Sequence, residues 1–238
     1  MKKYALVVVA PSILFLTFVL SGCAELDKLK NNLKSNELGQ SDIAEGLKEA
    51  LRVGSATVVG NLGRTNGFNN DKVAHIVLPE NLAKIRNALQ KIGYSQKLDD
   101  LELKINRAAE LATPKAKAIF VTVIKQMAWQ DAKKIYNGPN DAATRYFQEK
   151  MTPSLNQEMK PVINTALAQV GVVRSYNDIV GKYNKLPFVT PVRSDLSDYT
   201  LNKTLAALFH YVAIEEMAIR NDPAKRTTEI LKRVFGSK

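Results

Sequence analysis

The stretch LNKTLAALFHYVAIEEMAIR, residues 201–220, decides the fold that we predict for this chain. Between residues 205 and 219, apolar side chains occupy every side of a helix, a pattern typical of a helix in the middle of a fold. An acidic first turn precedes the stretch, and Asn-Asp-Pro at 221–223 ends it. Its charged residues argue against a membrane span. The stretch therefore indicates an all-α fold, a compact multi-helix domain around a buried C-terminal helix.

Helix start and stop signals follow one another along the rest of the chain. Caps of Ser, Thr and Asp, Pro at first helical positions and Gly at helix ends mark the boundaries. One minor strand or short β-hairpin is predicted at 73–78, VAHIVL, and Pro161 is expected to kink or break its helix. Short connections favour one domain, residues 41–238. The predicted helices are 41–62, 79–92, 96–112, 114–127, a short one after Trp129, 142–151, 153–170, 176–186 and 224–235.

The N-terminus has the pattern of an export signal. Two lysines precede an apolar run at 5–20, which ends in Leu20-Ser21-Gly22-Cys23. This ending resembles the bacterial lipoprotein box, and the resemblance implies cleavage before Cys23 and acylation of Cys23. Several acyl chains would anchor the protein stably, since each buried CH₂ contributes about 0.8 kcal/mol. We expect a signal peptide at 1–22 and a lipid-anchored tether at 23–40; the alternative is an ordinary secretory signal that contains a Cys.

The expected location follows from the same segment. Ala24 follows the cysteine, whereas an Asp there usually retains lipoproteins of Gram-negative bacteria in the inner membrane. By this analogy we expect a bacterial cell-envelope protein at the outer membrane, facing the periplasm. Cys23 is the only cysteine, so neither a disulfide within the chain nor a second thiol for catalysis or zinc is available.

The chain is basic, with a formal net charge of +11. A basic protein tethered to a membrane would be drawn to anionic head groups or other polyanions. We therefore expect the membrane, through acylated Cys23, and anionic envelope components or another envelope protein as partners. Nucleic acid is not expected in the periplasm. The alternative is that the positive charge only aids solubility.

Catalytic motifs are absent from the sequence. It contains no H-E-x-x-H, G-x-S-x-G, S-x-x-K, P-loop or G-x-G-x-x-G pattern. We predict no catalytic residue, no metal ligand and no cofactor, and leave open whether the protein is an enzyme.

The candidate binding residues fall into three groups. His210, Glu215 and Glu216 interrupt the apolar helix, and buried carboxylates must be paired or shifted in pKa. They could form an acid–base or cation site, or be structural, as an ion pair with an Arg or Lys from another helix or as a helix edge that reaches water.

The second group lies in the predicted helix 96–112. Arg107 and Glu110 are three residues apart and can form a helical ion pair, although Arg107 could also bind a carboxylate or phosphate. The third group, Asp141 with Thr144, is expected to cap a helix or to receive an anion at its N-terminus. Asn106 and Arg64 complete the candidate ligand-binding residues.

Short motifs are spread over residues 43–236. They are Leu62-Gly63-Arg64 with Gly67-Phe68, Asn106-Arg107-Ala108-Ala109-Glu110, Ile124-Lys125-Gln126-Met127, Gly138-Pro139 with Asp141-Ala142-Ala143-Thr144, Lys182-Tyr183 with Leu186-Pro187-Phe188, and Arg226-Thr227-Thr228 leading to Val234-Phe235-Gly236. Together they resemble one bacterial family of putative lipoproteins, the domain-of-unknown-function 4197 family. The resemblance implies an exported helical protein and supplies no catalytic residues.

Three functional hypotheses remain. The leading one is a non-enzymatic periplasmic lipoprotein that binds a partner protein or an anionic envelope component. The second is a hydrolase-type enzyme that uses carboxylates and Arg107 in a cleft. The third is a carrier of an apolar ligand, which would need a continuous apolar cavity.

Overall fold

The computed structural model describes residues 39–236. The predicted signal peptide, Cys23 and most of the predicted tether lie outside these residues. Gln40–Lys238 forms one compact unit.

The described chain is largely helical, which confirms the all-α prediction. Residues 39–236 contain no β-strand. Short 3₁₀ turns at Thr113–Lys115 and Pro223–Lys225 lead into or follow longer helices. The α-helices are α1 Gln40–Leu62, α2 Glu80–Lys84, α3 Arg86–Gln90, α4 Ser95–Ala112, α5 Ala116–Gln126, α6 Trp129–Tyr136, α7 Ala142–Gln169, α8 Val172–Tyr183, α9 Leu196–Asn221 and α10 Glu229–Gly236.

The C-terminal helix α9 is the centre of the packing, as predicted. It has 26 residues and packs against α7, α1, α4 and α10. Asp195 caps it, because its carboxylate accepts hydrogen bonds from the N–H groups of Ser197 and Asp198. The helix is not enclosed on every side, however. A narrow outer stripe reaches solvent, and its members are Lys203, Ala206, His210, Ile214 and Met217.

Helix α7 differs most from the prediction. Two helices were expected at 142–151 and 153–170, but one helix of 28 residues runs through both Pro153 and Pro161. Each proline removes one backbone donor. The buried face nevertheless continues without a break, because every fourth residue packs inward, and this continuous contact outweighs the two lost hydrogen bonds. The inward residues are Phe147, Met151, Leu155, Met159, Ile163 and Leu167.

Smaller boundary differences occur at three other helices. The predicted helix 79–92 is divided at Ile85 into α2 and α3, and the predicted helix 224–235 is a 3₁₀ turn followed by α10. The predicted helix 176–186 lies at 172–183, where Gly171, with a φ of 79°, separates it from α7. Only glycine adopts this left-handed conformation without strain.

Candidate functional site

One face of α4 holds the chain segment that connects α1 to α2. Glu102, Asn106 and Glu110 follow one another at four-residue spacing and so lie on one side of the helix. The side chain of Asn106 accepts a hydrogen bond from the N–H of Ile76 (2.9 Å) and donates one to its C=O (2.9 Å). The prediction of a strand at 73–78 was therefore wrong, because this backbone pairs with a helix side chain instead of another strand.

The neighbouring residues of this segment are held in the same way. Glu102 accepts a hydrogen bond from the N–H of Leu78 (3.0 Å) and contacts Nε2 of His75 (3.0 Å). From the other side, the hydroxyl of Tyr199 on α9 donates to the C=O of Val77 (2.8 Å). The extended segment is thus clamped between α4 and α9.

Glu110 fixes the loop at the end of α1. It is buried, and its Oε1 accepts hydrogen bonds from the N–H groups of Phe68 and Asn69, both at 3.1 Å. Its Oε2 receives Nη1 of Arg107 at 2.7 Å, which is the ion pair predicted from their spacing. Arg107 also donates from Nη2 to Oδ1 of Asn66 at 2.7 Å. The hydrogen bonds of Glu110 to Phe68 and Asn69 and of Arg107 to Asn66 join the loop to α4, so the loop has a defined shape.

The loop is also packed tightly. Phe68 is fully buried. A Cβ atom at Gly67 would lie 2.4 Å from the C=O oxygen of Leu62, closer than atoms can approach, so only glycine fits there. Asn66 adopts a φ of 66°, a left-handed conformation that Asn tolerates better than most residues. The backbone geometry of this loop therefore requires Gly at position 67 and favours Asn at position 66.

The outer side of this loop forms a pocket with α1 and α9. Its volume is about 300 Å³, and charged groups of both signs line it, Arg64 on one hand and Asp71 and Glu215 on the other. In the described chain, the guanidinium of Arg64 makes no hydrogen bond and no ion pair. The other lining residues are Val58, Asn61, Leu62, Asn66, Gly67, Asn70 and Tyr211.

Asp71 and Tyr211 form a fixed pair inside the pocket. Oδ1 of Asp71 accepts hydrogen bonds from the N–H groups of Val73 (2.8 Å) and Ala74 (2.7 Å) and from the hydroxyl of Tyr211 (2.6 Å). Burial alone would raise the pKa of Asp71, but these hydrogen bonds outweigh burial and lower it. Burial and the bond to Asp71 raise the pKa of Tyr211 to about 12. At neutral pH the pocket therefore contains a carboxylate and a neutral phenol.

Glu216 forms a second buried anchor, on the opposite face of α9 from the solvent stripe. Its carboxylate accepts from the N–H groups of Ala143 (3.0 Å) and Thr144 (2.9 Å) and from the Thr144 hydroxyl (2.9 Å). Arg220 pairs with it at 2.9 Å and also donates to the C=O of Ile135 (2.9 Å). Glu216 thus caps α7 and joins it to α9 and to the end of α6.

Asp141 does not cap α7, contrary to the prediction. Its carboxylate pairs with Arg145 one turn along the helix (2.8 Å) and accepts no hydrogen bond from the helix N–H groups. The side chain of Glu216 arrives from α9 and takes this role. No anion is therefore needed at this N-terminus, since a carboxylate of the protein already occupies it.

A family model described as "Protein of unknown function (DUF4197)" matches residues 37–236. The match covers the whole of the described chain, including both anchors and the pocket. The chain belongs to this family. No curated protein and no solved structure was found to match it.

The DUF4197 motifs of this chain occupy both anchors. Leu62-Gly63-Arg64 and Gly67-Phe68 form the loop and one wall of the pocket, and the motif at 106–110 supplies Asn106, Arg107 and Glu110. The motif at 141–144 supplies the N–H groups that Glu216 binds. Three of the six motif groups therefore lie at the loop or at the backbone that the two buried glutamates bind.

The structure separates three residues that the sequence placed together. Glu216 is enclosed in its ion pair, and its partner Arg220 comes from the same helix rather than from another one. Glu215 lines the pocket. It packs closely against Gly54 on α1, since a Cβ atom added at Gly54 would lie only 3.3 Å from Cβ of Glu215. His210 lies on the exposed stripe of α9, with its ring against Tyr211. The three do not form a common acid–base site.

Sequence reasoning missed Asp71 and Tyr211. Neither residue belongs to the three groups of candidate binding residues. One signal was available, because Tyr211 and Glu215 are four residues apart and therefore share one face of α9.

Two other cavities are less suited to a ligand. The enclosed apolar cavity beside Leu51, Val212 and Phe235 measures only about 10 Å³, about the space of one water molecule. A larger open groove of about 650 Å³ lies at the N-terminal end of α9. Several of its polar groups are already engaged, as in the 2.7 Å hydrogen bond from Ser194 N–H to the Tyr176 hydroxyl.

Between residues 39 and 236, no three His, Cys, Asp or Glu side chains are placed to hold a metal ion together. Over the same residues, every helix is too short or too polar to span a membrane.

Proposed function

We propose that this protein is a lipid-anchored binding protein of the bacterial cell envelope, which holds a small polar ligand in the Arg64 pocket. One observation carries the proposal. The side chain of Arg64 is exposed and has no protein partner among residues 39–236, and Arg64 lines a pocket of about 300 Å³ together with Asp71, Glu215 and three Asn residues. The buried Glu110 fixes the loop that shapes this pocket.

The charges of the pocket favour a ligand that carries both signs. Arg64 suits a carboxylate, because its planar fork can donate two hydrogen bonds to one. Asp71 and Glu215 suit an ammonium group, and Asn amides pair with peptide groups. With two acidic groups and one basic group, the pocket does not favour a simple anion. A short zwitterionic peptide fits this set best, and peptides of this size fit the volume.

The hydrolase alternative is poorly supported by the geometry. Arg107 and Glu110 are joined to each other and to the loop, and Glu216 is enclosed. Tyr211 keeps its proton at neutral pH, because its pKa is about 12. The apolar carrier is poorly supported too, since the enclosed cavity of about 10 Å³ is far smaller than a lipid.

The dipeptide alanylalanine is a suitable first probe for the pocket. We expect it to shift the backbone NMR signals of Arg64, Asn66 and Tyr211, and its N-acetylated and C-amidated forms to bind more weakly. Replacement Arg64→Ala should weaken binding by about tenfold or more, because the two charge-assisted hydrogen bonds to the ligand carboxylate are lost. Arg174→Ala, at an exposed arginine outside the pocket, should leave binding unchanged.

The dipeptide experiment has a clear contrary outcome. If no form of alanylalanine shifts these signals, or if Arg64→Ala binds as well as the parent, the pocket is not a site for zwitterionic peptides.

The proposed anchor needs a separate test. Mass spectrometry of the protein isolated from membranes should show a mature N-terminus at Cys23 that carries a diacylglyceryl group. An uncut leader, or a cleaved Cys23 without lipid, would contradict the proposed lipoprotein and leave the pocket untested by that result.

A further inference from the structure

Four lysines lie in two chain segments that approach each other, the turn before α4 and the end of α8. Nζ of Lys182 lies 5.8 Å from the centre of the Tyr94 ring, which joins the two segments. Lys91 and Lys97 are each three residues from Tyr94 along the chain. The N–H of Lys185 donates to the C=O of Lys182 in the turn that ends α8. All four lysine side chains are exposed, and we call this surface the basic end.

The basic end remains positively charged when its nearby carboxylates are counted. Asp99 is paired with Arg86 (2.6 Å) and Asp100 with Lys104 (2.6 Å). Asp178, one turn before Lys182 on α8, is the remaining acid on these two segments. Four lysines therefore oppose one carboxylate that is not already paired with another base.

Apolar side chains project from the same end. Phe188 is fully exposed, at 108% of its reference accessible area, and Ile92, next to Lys91, is 41% exposed. Phe188 follows Leu186-Pro187 and adopts a φ of 60°, which is strained for a side chain with a Cβ atom. An aromatic ring held outward in this way is unusual, because burial would normally remove it from water.

The backbone around Phe188 is held in place rather than loose. The N–H of Leu186 donates to the C=O of Tyr183 (3.0 Å), and the N–H of Val192 donates to the side chain of Asn184 (3.1 Å). The turn is therefore closed on both sides of Phe188. Its ring projects from an anchored turn, three residues beyond Lys185.

We propose that the basic end docks on an anionic phospholipid surface, with Phe188 inserted between head groups and the four lysines over them. Lysines beside an exposed aromatic ring are the composition of interfacial membrane-binding surfaces. Lysines are attracted to anionic lipid within a Debye length of the surface, and the ring supplies the apolar contact. Docking would set the orientation of the whole domain on the membrane. This inference is independent of the Arg64 pocket.

The single tryptophan of the chain makes the test simple. The full chain carrying Trp129→Phe and Phe188→Trp is purified from membranes and reconstituted into vesicles of phosphatidylglycerol or of phosphatidylcholine, each with brominated lipid. In phosphatidylglycerol we expect Trp emission at position 188 to shift to shorter wavelength and to be quenched. Insertion of about 5–10 Å is typical of interfacial contacts. In phosphatidylcholine the emission should stay close to that in water.

Three controls separate docking from mere tethering. A tryptophan placed at Leu111, which is 48% exposed at the far end of α4, should not be quenched in either lipid. The pair Lys182→Gln and Lys185→Gln should remove most of the quenching at position 188. Salt at 1 M should do the same, because the Debye length falls to about 3 Å.

Three outcomes would overturn the proposal. The first is an unquenched tryptophan at position 188 in phosphatidylglycerol vesicles, with circular dichroism showing an intact helical fold. The second is equal quenching in both lipids, unaffected by the lysine changes. The third is a response of this tryptophan to a single-stranded oligonucleotide and not to anionic lipid, which would assign the surface to nucleic acid.

Discussion

Glu110 and Glu216 are the two buried glutamates of residues 39–236, and they are bound in the same way. Each accepts hydrogen bonds from two successive backbone N–H groups of a distant segment, and each pairs with an Arg on its own helix. They differ in what they hold. Glu216 holds the first turn of the longest helix, whereas Glu110 holds a surface loop that borders a pocket.

The surroundings of the two arginines show the same difference. The side chain of Arg220 is 7% exposed and that of Arg107 is 29% exposed. Charges that are removed from water and paired become costly when one partner is lost. The same arrangement therefore stabilises the core at Glu216 and fixes the shape of a candidate site at Glu110.

The largest expected effect on stability is at Glu216. Glu216→Ala should lower the free energy of unfolding by about 3–5 kcal/mol, because Arg220 and two helix N–H groups lose their partner in a buried place. Urea or thermal unfolding measures it. The adjacent Glu215→Ala is the matched control and should change stability by less than about 0.5 kcal/mol. Equal losses at the two positions would show that Glu216 is not an anchor.

A smaller effect is expected at the loop anchor. Glu110→Gln should lower the free energy of unfolding by about 1–3 kcal/mol, since a neutral amide replaces the carboxylate that receives Arg107 and two N–H groups. The same replacement should weaken dipeptide binding at the pocket. Glu49→Gln, which alters an exposed ion pair with Arg52, is the control and should change neither quantity measurably. Unaltered stability in Glu110→Gln would contradict the proposed anchor.

The pair inside the pocket should contribute least to stability. Tyr211→Phe removes one hydrogen bond to Asp71 and should cost about 0.5–1.5 kcal/mol at neutral pH. Because the folded pKa of Asp71 is lowered, its stabilising effect is complete above the unfolded value and is lost as the pH falls below it. In Tyr211→Phe the pKa of Asp71 should therefore rise towards its ordinary value of 3.8.

Carboxyl NMR titration of Asp71 measures that change. Thr57→Val, which removes an exposed side-chain hydrogen bond on α1, should leave the titration as it is. If Asp71 titrates identically in the Tyr211→Phe variant and the parent, the tyrosine hydroxyl is not what stabilises its charge.

Much of the fold could be predicted from the sequence, because helix boundaries depend mainly on the residues next to them. The apolar run at 201–220 indicated α9, and caps and glycines marked most other helices. Pro153 and Pro161 led to the wrong prediction of two separate helices. A rule based on neighbouring residues does not take into account the continuous buried face of α7. The run VAHIVL at 73–78 was wrongly predicted as a strand for a similar reason. Its backbone pairs with the side chain of Asn106 and not with another strand.

The candidate site was predicted only in part. The spacing of Arg107 and Glu110 indicated their ion pair, and burial of a glutamate in α9 was expected. The segment that each glutamate binds lies 42 residues away for Phe68 and 73 residues away for Ala143, and no local pattern reports such a distance. Thus Asp141 was taken for the cap of α7, and Arg64, Asp71 and Glu215 could not be recognised as neighbours.

The two glutamates hold different segments of the chain, Glu110 the loop and Glu216 the first turn of α7. Hydrogen exchange at four backbone N–H groups is the most direct test of this claim. The groups are those of Phe68 and Asn69 in the loop and those of Ala143 and Thr144 in α7. In Glu110→Gln we predict faster exchange at Phe68 and Asn69 and unchanged exchange at Ala143 and Thr144. Faster exchange at all four, or at none, would contradict the claim, because the loop would then not be an independently held segment.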